Sequence, residues 1–152
     1  MLLTCAVNAQ VVNTSVWFAP PASADTLGPE LLTNGEFSED ATWDKGAGWT
    51  ITGGYAVATD VARNVALSQY ITQPEVGDEY YVELEIENYT SGSVEIGISS
   101  NYSYTDKRTG DGTHTVTITT SSTPNNSFII RSGSVAAANF KINRVSCKKK
   151  LN

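Results

Sequence analysis

The chain has 152 residues, of which 40% are hydrophobic, 9% aromatic and 17% charged, with a formal net charge of −6 at pH 7. That length suits one domain with an arm, and the low charge, replaced by Thr, Ser, Asn and Gly, excludes a coiled coil, a long helical bundle and a charge-rich disordered chain. The acidic balance argues against nucleic acid, because sequence-independent affinity comes from Lys and Arg neutralising phosphates.

The chain opens on an apolar stretch, and Val7-Asn8-Ala9 has the look of a signal-peptidase site. No basic region precedes it and the stretch is short, so no secretory signal is expected, and no run approaches the ~18 apolar residues of a membrane helix. Gln10 to Trp17 reads as one or two short strands, and Pro20, Pro21, Ala22, Ser23 and Ala24 as an extended linker. Residues 1–28 are thus expected to form an arm. Its Val11, Val12, Val16, Trp17 and Phe18 should not be left in water, and an unpaired apolar strand is a template for another chain. They are the expected anchoring residues.

From Pro29 onward the sequence becomes a train of strands separated by turn signals. A turn of helix is expected around Ser38 to Trp43. Strands are expected at Trp49–Thr52, Tyr55–Thr59, Val65–Ile71, Tyr80–Asn88, Val94–Ile98, Thr113–Thr119, Phe128–Arg131 and Phe140–Cys147. The clearest is Tyr80–Asn88, where Tyr80, Val82, Leu84 and Ile86 alternate with Tyr81, Glu83, Glu85 and Glu87. The Ser91-Gly92 turn predicts a hairpin between that strand and Val94–Ile98. Trp49, Tyr55, Tyr70 and Tyr80 are expected in the core. The fold class is all-β: an antiparallel jelly-roll β-sandwich over residues 29–152, preceded by the extended N-terminal arm.

Several short motifs share a pattern. Glu30-Leu31-Leu32-Thr33-Asn34-Gly35-Glu36-Phe37 resembles the "N-L-L-x-N-G-x-F" opening of jelly-roll carbohydrate-binding modules of the family four, nine and twenty-two type. Leu67-Ser68-Gln69-Tyr70-Ile71, Gly77-Asp78-Glu79-Tyr80-Tyr81-Val82 and the closing Phe140-Lys141-Ile142-Asn143-Arg144-Val145-Ser146 follow in the family's order. The resemblance implies a galactose-binding-like sandwich with first and last strands adjacent. It implies function less directly, since sites are grafted onto folds.

The resemblance also implies calcium near the opening strand and a closing "D-D" pair. Asn143 and Arg144 replace both aspartates here, so no cofactor is expected, with Glu36, Glu39 and Asp40 as the residual calcium candidates. Glycan sites combine stacking rings with groups that bond hydroxyls. The candidates are Trp43, Tyr102 and Tyr104 on loops, and Tyr81 on the outward face with Glu83, Glu85 and Glu87. Catalysis is not expected: glutamates on alternate strand positions occur in any acidic strand, and His114 has no nucleophile at a fixed spacing. Cys5 and Cys147 are expected to be free thiols.

Sequences of this style are common in tailed-phage virion proteins. The expectation is therefore a non-enzymatic structural virion protein of a tailed bacteriophage, a capsid decoration or head-fibre protein on the capsid surface. Its partners would be the major capsid protein or other virion subunits, copies of itself as a homo-oligomer such as a trimer, and host-surface glycans held weakly, with no nucleic acid and no membrane. The alternatives are an extracellular carbohydrate-binding module associated with a glycoside hydrolase, and a tail-fibre or baseplate component.

Overall fold

The computed structural model describes residues 26–99, 107–121 and 125–151, with the backbone alone at 101–102. Val11, Val12, Val16, Trp17 and Phe18 of the arm lie outside the described residues, as do Cys5, Tyr104 and the side chain of Tyr102.

The strands are β1 (Thr26–Glu30), β2 (Asp44–Lys45), β3 (Trp49–Thr52), β4 (Tyr55–Val61), β5 (Ala66–Tyr70), β6 (Glu79–Ser91), β7 (Val94–Ile98), β8 (Asn101–Tyr102), β9 (Gly112–Thr119), β10 (Ser127–Ser132) and β11 (Ala138–Leu151). One sheet runs β3-β4-β11-β6-β9 with β1 also on β11, and the other runs β2-β5-β10-β7-β8. Every pairing is antiparallel. The architecture is the expected all-β sandwich.

Period-two patterning builds it. On β6, Tyr80, Val82, Leu84 and Ile86 are buried while the intervening residues are half-exposed, and β11 repeats this with Phe140, Ile142, Val145 and Cys147. These side chains meet Leu67, Phe128, Ile130, Val94, Ile96 and Ile98 from the other sheet. Each fully buried aliphatic or Phe side chain contributes about 1.5–3 kcal/mol through removal from water.

The long closing strand joins the two ends of the domain. One edge of β11 is taken by β6; on the other, β4 pairs with its first half and β1 with its last residues. Between them sits the opening loop: the Val145 N–H donates to Gly35 O at 2.9 Å and the Leu31 N–H to Cys147 O at 3.0 Å. First and last strands are therefore adjacent, and pairing starts at Thr26, ahead of Pro29.

Three expectations are corrected. No hairpin joins β6 to β7: at Ser91–Ser93 the chain crosses from one sheet to the other, and Gly92, at φ 89°, packs so tightly on Ala138 that a Cβ there would collide with it. No helical turn forms at Ser38–Trp43, because the segment is tied down instead. The Asn34 side chain donates to Glu39 O at 2.7 Å and Ala41 O at 3.2 Å, and accepts from the Ser38 N–H at 2.8 Å. Tyr55 and Tyr70 are not core residues: Ala56 and Ala58 take the inward positions of β4, and Leu67 and Gln69 those of β5. Trp49 and Tyr80 are buried.

Candidate functional site

The outer faces of the two sheets differ in chemistry. On the larger sheet the acidic stripe of β6 is answered by β11. Glu83 pairs with Arg144 at 2.6 Å, Glu85 accepts from Asn143 Nδ2 at 3.3 Å, and Lys150 lies 3.3 Å from Glu79. Glu87 raises the pKa of the Tyr55 hydroxyl, and Lys141 sits 5.1 Å from the centre of that ring. Tyr81 is half-buried on this face, in register between Thr117 and Lys148. Glu79, Glu83 and Glu85 thus each have a partner on β11.

The smaller sheet presents a different surface. Since Leu67, Gln69, Phe128 and Ile130 point inward, Ala66, Ser68 and Tyr70 of β5 and Ser127, Ile129 and Arg131 of β10 face outward. Register places Asp44, Ser68, Ile129, Gly97 and Tyr102 in one row across all five strands. Tyr70 and Ser127 form the next row. Ala66, Arg131 and Glu95 form the row on the other side. The floor therefore mixes Ala66, Ser68 and Ser127 with Ile129 and Arg131, and Tyr70, 74% exposed, stands at its end.

A buried charge pair edges this face. Glu95 is 3% exposed, and its Oε2 accepts from Arg131 Nε at 2.9 Å and Nη2 at 2.8 Å, with Lys107 3.8 Å from Oε1. Gly133 makes room, because a Cβ there would occupy the volume of the Glu95 carboxylate. The pair fixes the Arg131 guanidinium beside Ile129 with little side-chain freedom.

Trp43 is corrected as a stacking ring. It is 5% exposed, its Nε1 donates to Asn34 O at 3.0 Å, and its ring lies 5.4 Å from Phe37 and 6.2 Å from Phe128. A loop tryptophan has become the plug of the opening segment, with no free face for a ligand. Tyr102 is corrected from a loop to strand β8, where its backbone lies in register with Gly97. The structure thus separates Tyr81 from Tyr70, on opposite sheets, and sequence reasoning missed Tyr70. The signal was present: Leu67, Gln69 and Ile71 alternate inward, which sets Tyr70 outward by the rule that located β6.

Calcium, which the family resemblance implies, does not fit the residues present. Glu30 Oε1 accepts from the N–H groups of Leu31, Leu32 and Cys147, and its Oε2 from Ser146 Oγ, so both oxygens face donors. Arg144 lines the same concavity and Asp40 is ion-paired to Lys45. Glu36 and Glu39 are exposed, and among the described residues no three His, Cys, Asp or Glu side chains gather to hold a metal.

No protein-family model matches the chain, and no curated protein matches it in sequence. Solved structures do. A carbohydrate-binding module of family 4 covers 78% of this chain and 99% of its own, with a TM-score of 0.54 at 15% identity. The fold is a jelly roll similar to that of this module. The same jelly roll appears in the second N-terminal cellulose-binding domain of a Cellulomonas fimi β-1,4-glucanase, with 88% and 100% coverage, a TM-score of 0.52 and 13% identity. It also appears in the enzymatically active domain of a bacteriophage CBA120 tailspike protein, with a TM-score of 0.52 at 14% identity. That match covers 79% of this chain but 21% of the tailspike chain.

Proposed function

We propose that this chain is a non-catalytic glycan-binding module whose binding surface is the β2-β5-β10 part of the smaller sheet's outer face, where Asp44 and Tyr70 are exposed and Ser68 and Ser127 half-buried. The observation that carries the reading is Tyr70, a large ring 74% exposed at the end of a strand beside half-buried Ser68 and Ser127. A tyrosine face stacks on the C–H face of a pyranose, while serine hydroxyls, the Asp44 carboxylate and the Arg131 guanidinium have the chemistry to bond sugar hydroxyls. The fold shared with carbohydrate-binding modules supports this.

The module's setting is proposed as virion-associated or extracellular. The finer reading is a capsid decoration or head-fibre protein of a tailed phage, anchored by its arm on capsid subunits, with weak sugar contacts multiplied by copy number. The fold shared with a phage tailspike domain supports the virion setting. Immunogold labelling of purified particles distinguishes head from tail.

A glycan array probed with the full chain tests the binding reading. Binding is expected, and Tyr70→Ala should abolish it while Tyr81→Ala, on the other sheet, leaves it intact. A blank array, or binding indifferent to Tyr70→Ala, overturns it.

A further inference from the structure

A second concavity lies at the end of the sandwich where β1 begins. It encloses about 380 Å³ and is walled by Pro29, Leu31, Tyr80 and Leu151, with Asp78 and Lys149 at its polar side. Those two are matched with each other at 2.7 Å, and Glu75 also lines the polar side. Five large apolar side chains are exposed among the described residues, and three belong to the segments around this cleft: Leu27 at 37%, Val76 at 64% and Leu151 at 49%. Leu27 precedes Gly28, which lines the cleft, and Val76 lies in the turn between two lining residues, Glu75 and Asp78. Grouped exposed apolar side chains mark a surface that another segment covers.

We propose that this cleft is the docking site of the chain's own N-terminal segment, with Trp17 and Phe18 as the inserted side chains. Three observations carry the assignment. The segment enters the sandwich at the cleft, since Gly28 and Pro29 form part of its wall. The chemistry matches: residues 1–25 carry a single charged side chain, Asp25, and their largest apolar groups are adjacent at Trp17-Phe18. The reach suffices, because the stretch from Trp17 to Thr26, where β1 begins beside the cleft-lining Leu151, spans up to roughly 30 Å at roughly 3.3 Å per residue.

Tethering selects the chain's own segment over a neighbour's. A short linker holds an attached group at an effective concentration on the order of millimolar, well above that of another copy in dilute solution. Pro20 and Pro21 stiffen the tether, and Ala22, Ser23 and Ala24 leave it unencumbered by bulk. A cleft of this volume accommodates one or two aromatic side chains, which gain from leaving water. Docking in this way would withdraw from solvent the residues expected to anchor the protein to a partner, so that anchoring requires their release.

Tryptophan fluorescence of the full-length protein tests this directly. Trp43 and Trp49 are buried in the core and form a constant background, so the difference between the full chain and Trp17→Phe isolates Trp17. Trp17 is expected to emit to the blue and resist acrylamide, at a monomeric mass that does not change with concentration. Leu151→Arg and, independently, Val76→Arg should raise its quenching several-fold while near-ultraviolet dichroism of the core stays unchanged. A freely quenched Trp17, or a shielded Trp17 that neither variant exposes, overturns the assignment. Shielding that appears only as the mass doubles assigns the cleft to a second copy's segment and also overturns it.

Discussion

Gly35 in the opening loop and Val145 in the middle of β11 meet backbone against backbone. The Val145 N–H donates to Gly35 O at 2.9 Å, and a β-carbon on Gly35 would collide with the Val145 carbonyl oxygen. Neighbouring Asn34 holds a left-handed φ of 55° and spends its side chain on the loop that follows. This contact explains in physical terms why the opening motif reads Asn-Gly.

Gly35→Ala should therefore destabilise the sandwich although it adds only a methyl group. The obstacle is main chain, which cannot rotate away, so a loss of about 1–3 kcal/mol is expected from urea unfolding. An unchanged midpoint would show that β11 can move aside.

Gln69 is buried on the inward face of β5 and imitates a strand partner for the same loop. Its Oε1 accepts from the Thr33 N–H at 3.0 Å and its Nε2 donates to Thr33 O at 3.1 Å. Gln69→Leu keeps the bulk but strands the Thr33 N–H and leaves Thr33 O with Thr42 Oγ1 at 3.4 Å, a loss of about 1–3 kcal/mol. Hydrogen exchange should report it locally, as faster exchange of the Thr33 amide.

Glu95→Ala should be among the most damaging substitutions in the smaller sheet. It leaves Arg131, whose side chain is 12% exposed, without the carboxylate that holds it. Breaking a buried pair from one side costs about 3–5 kcal/mol. Thermal unfolding checks the single variant, and Glu95→Met with Arg131→Met should recover much of the loss by removing both charges.

Asp78 links stability to acid. Burial pushes its pKa up, but hydrogen bonds from Lys149, the Glu75 N–H and Tyr80 outweigh this and hold it below its usual value. A depressed folded value means that the contribution is complete above the unfolded pKa, about 3.9, and is lost as pH falls through the lower folded value. Asp78→Asn should cost about 1–3 kcal/mol at neutral pH, and unfolding curves recorded down the acid limb should fall less steeply than those of the parent chain.

The sequence by itself determined eight of the eleven described strands, missing β1, β2 and β8, and the class of fold. Alternation of apolar and polar residues is a local, period-two signal, and it located β3, β6, β7 and β9 to within a few residues because each strand has one face against the core. The order of short motifs likewise indicated the jelly roll and the adjacency of its ends. Only the tertiary structure decided which sheet each strand joins, and with it the candidate site. The Ser91-Gly92 turn is compatible with a hairpin when read alone, but packing on Ala138 sends β7 to the other sheet. Trp43 looked available on a loop until Asn34, Phe37 and Phe128 enclosed it. Tyr70 looked like core because aromatic residues usually are, and the inward claims of Leu67 and Gln69 turned it out to solvent. Strand identity depends on near neighbours in the chain. The proposed binding face is assembled from strands distant in sequence, and long-range register alone brings Asp44, Ser68, Ile129 and Gly97 into one row.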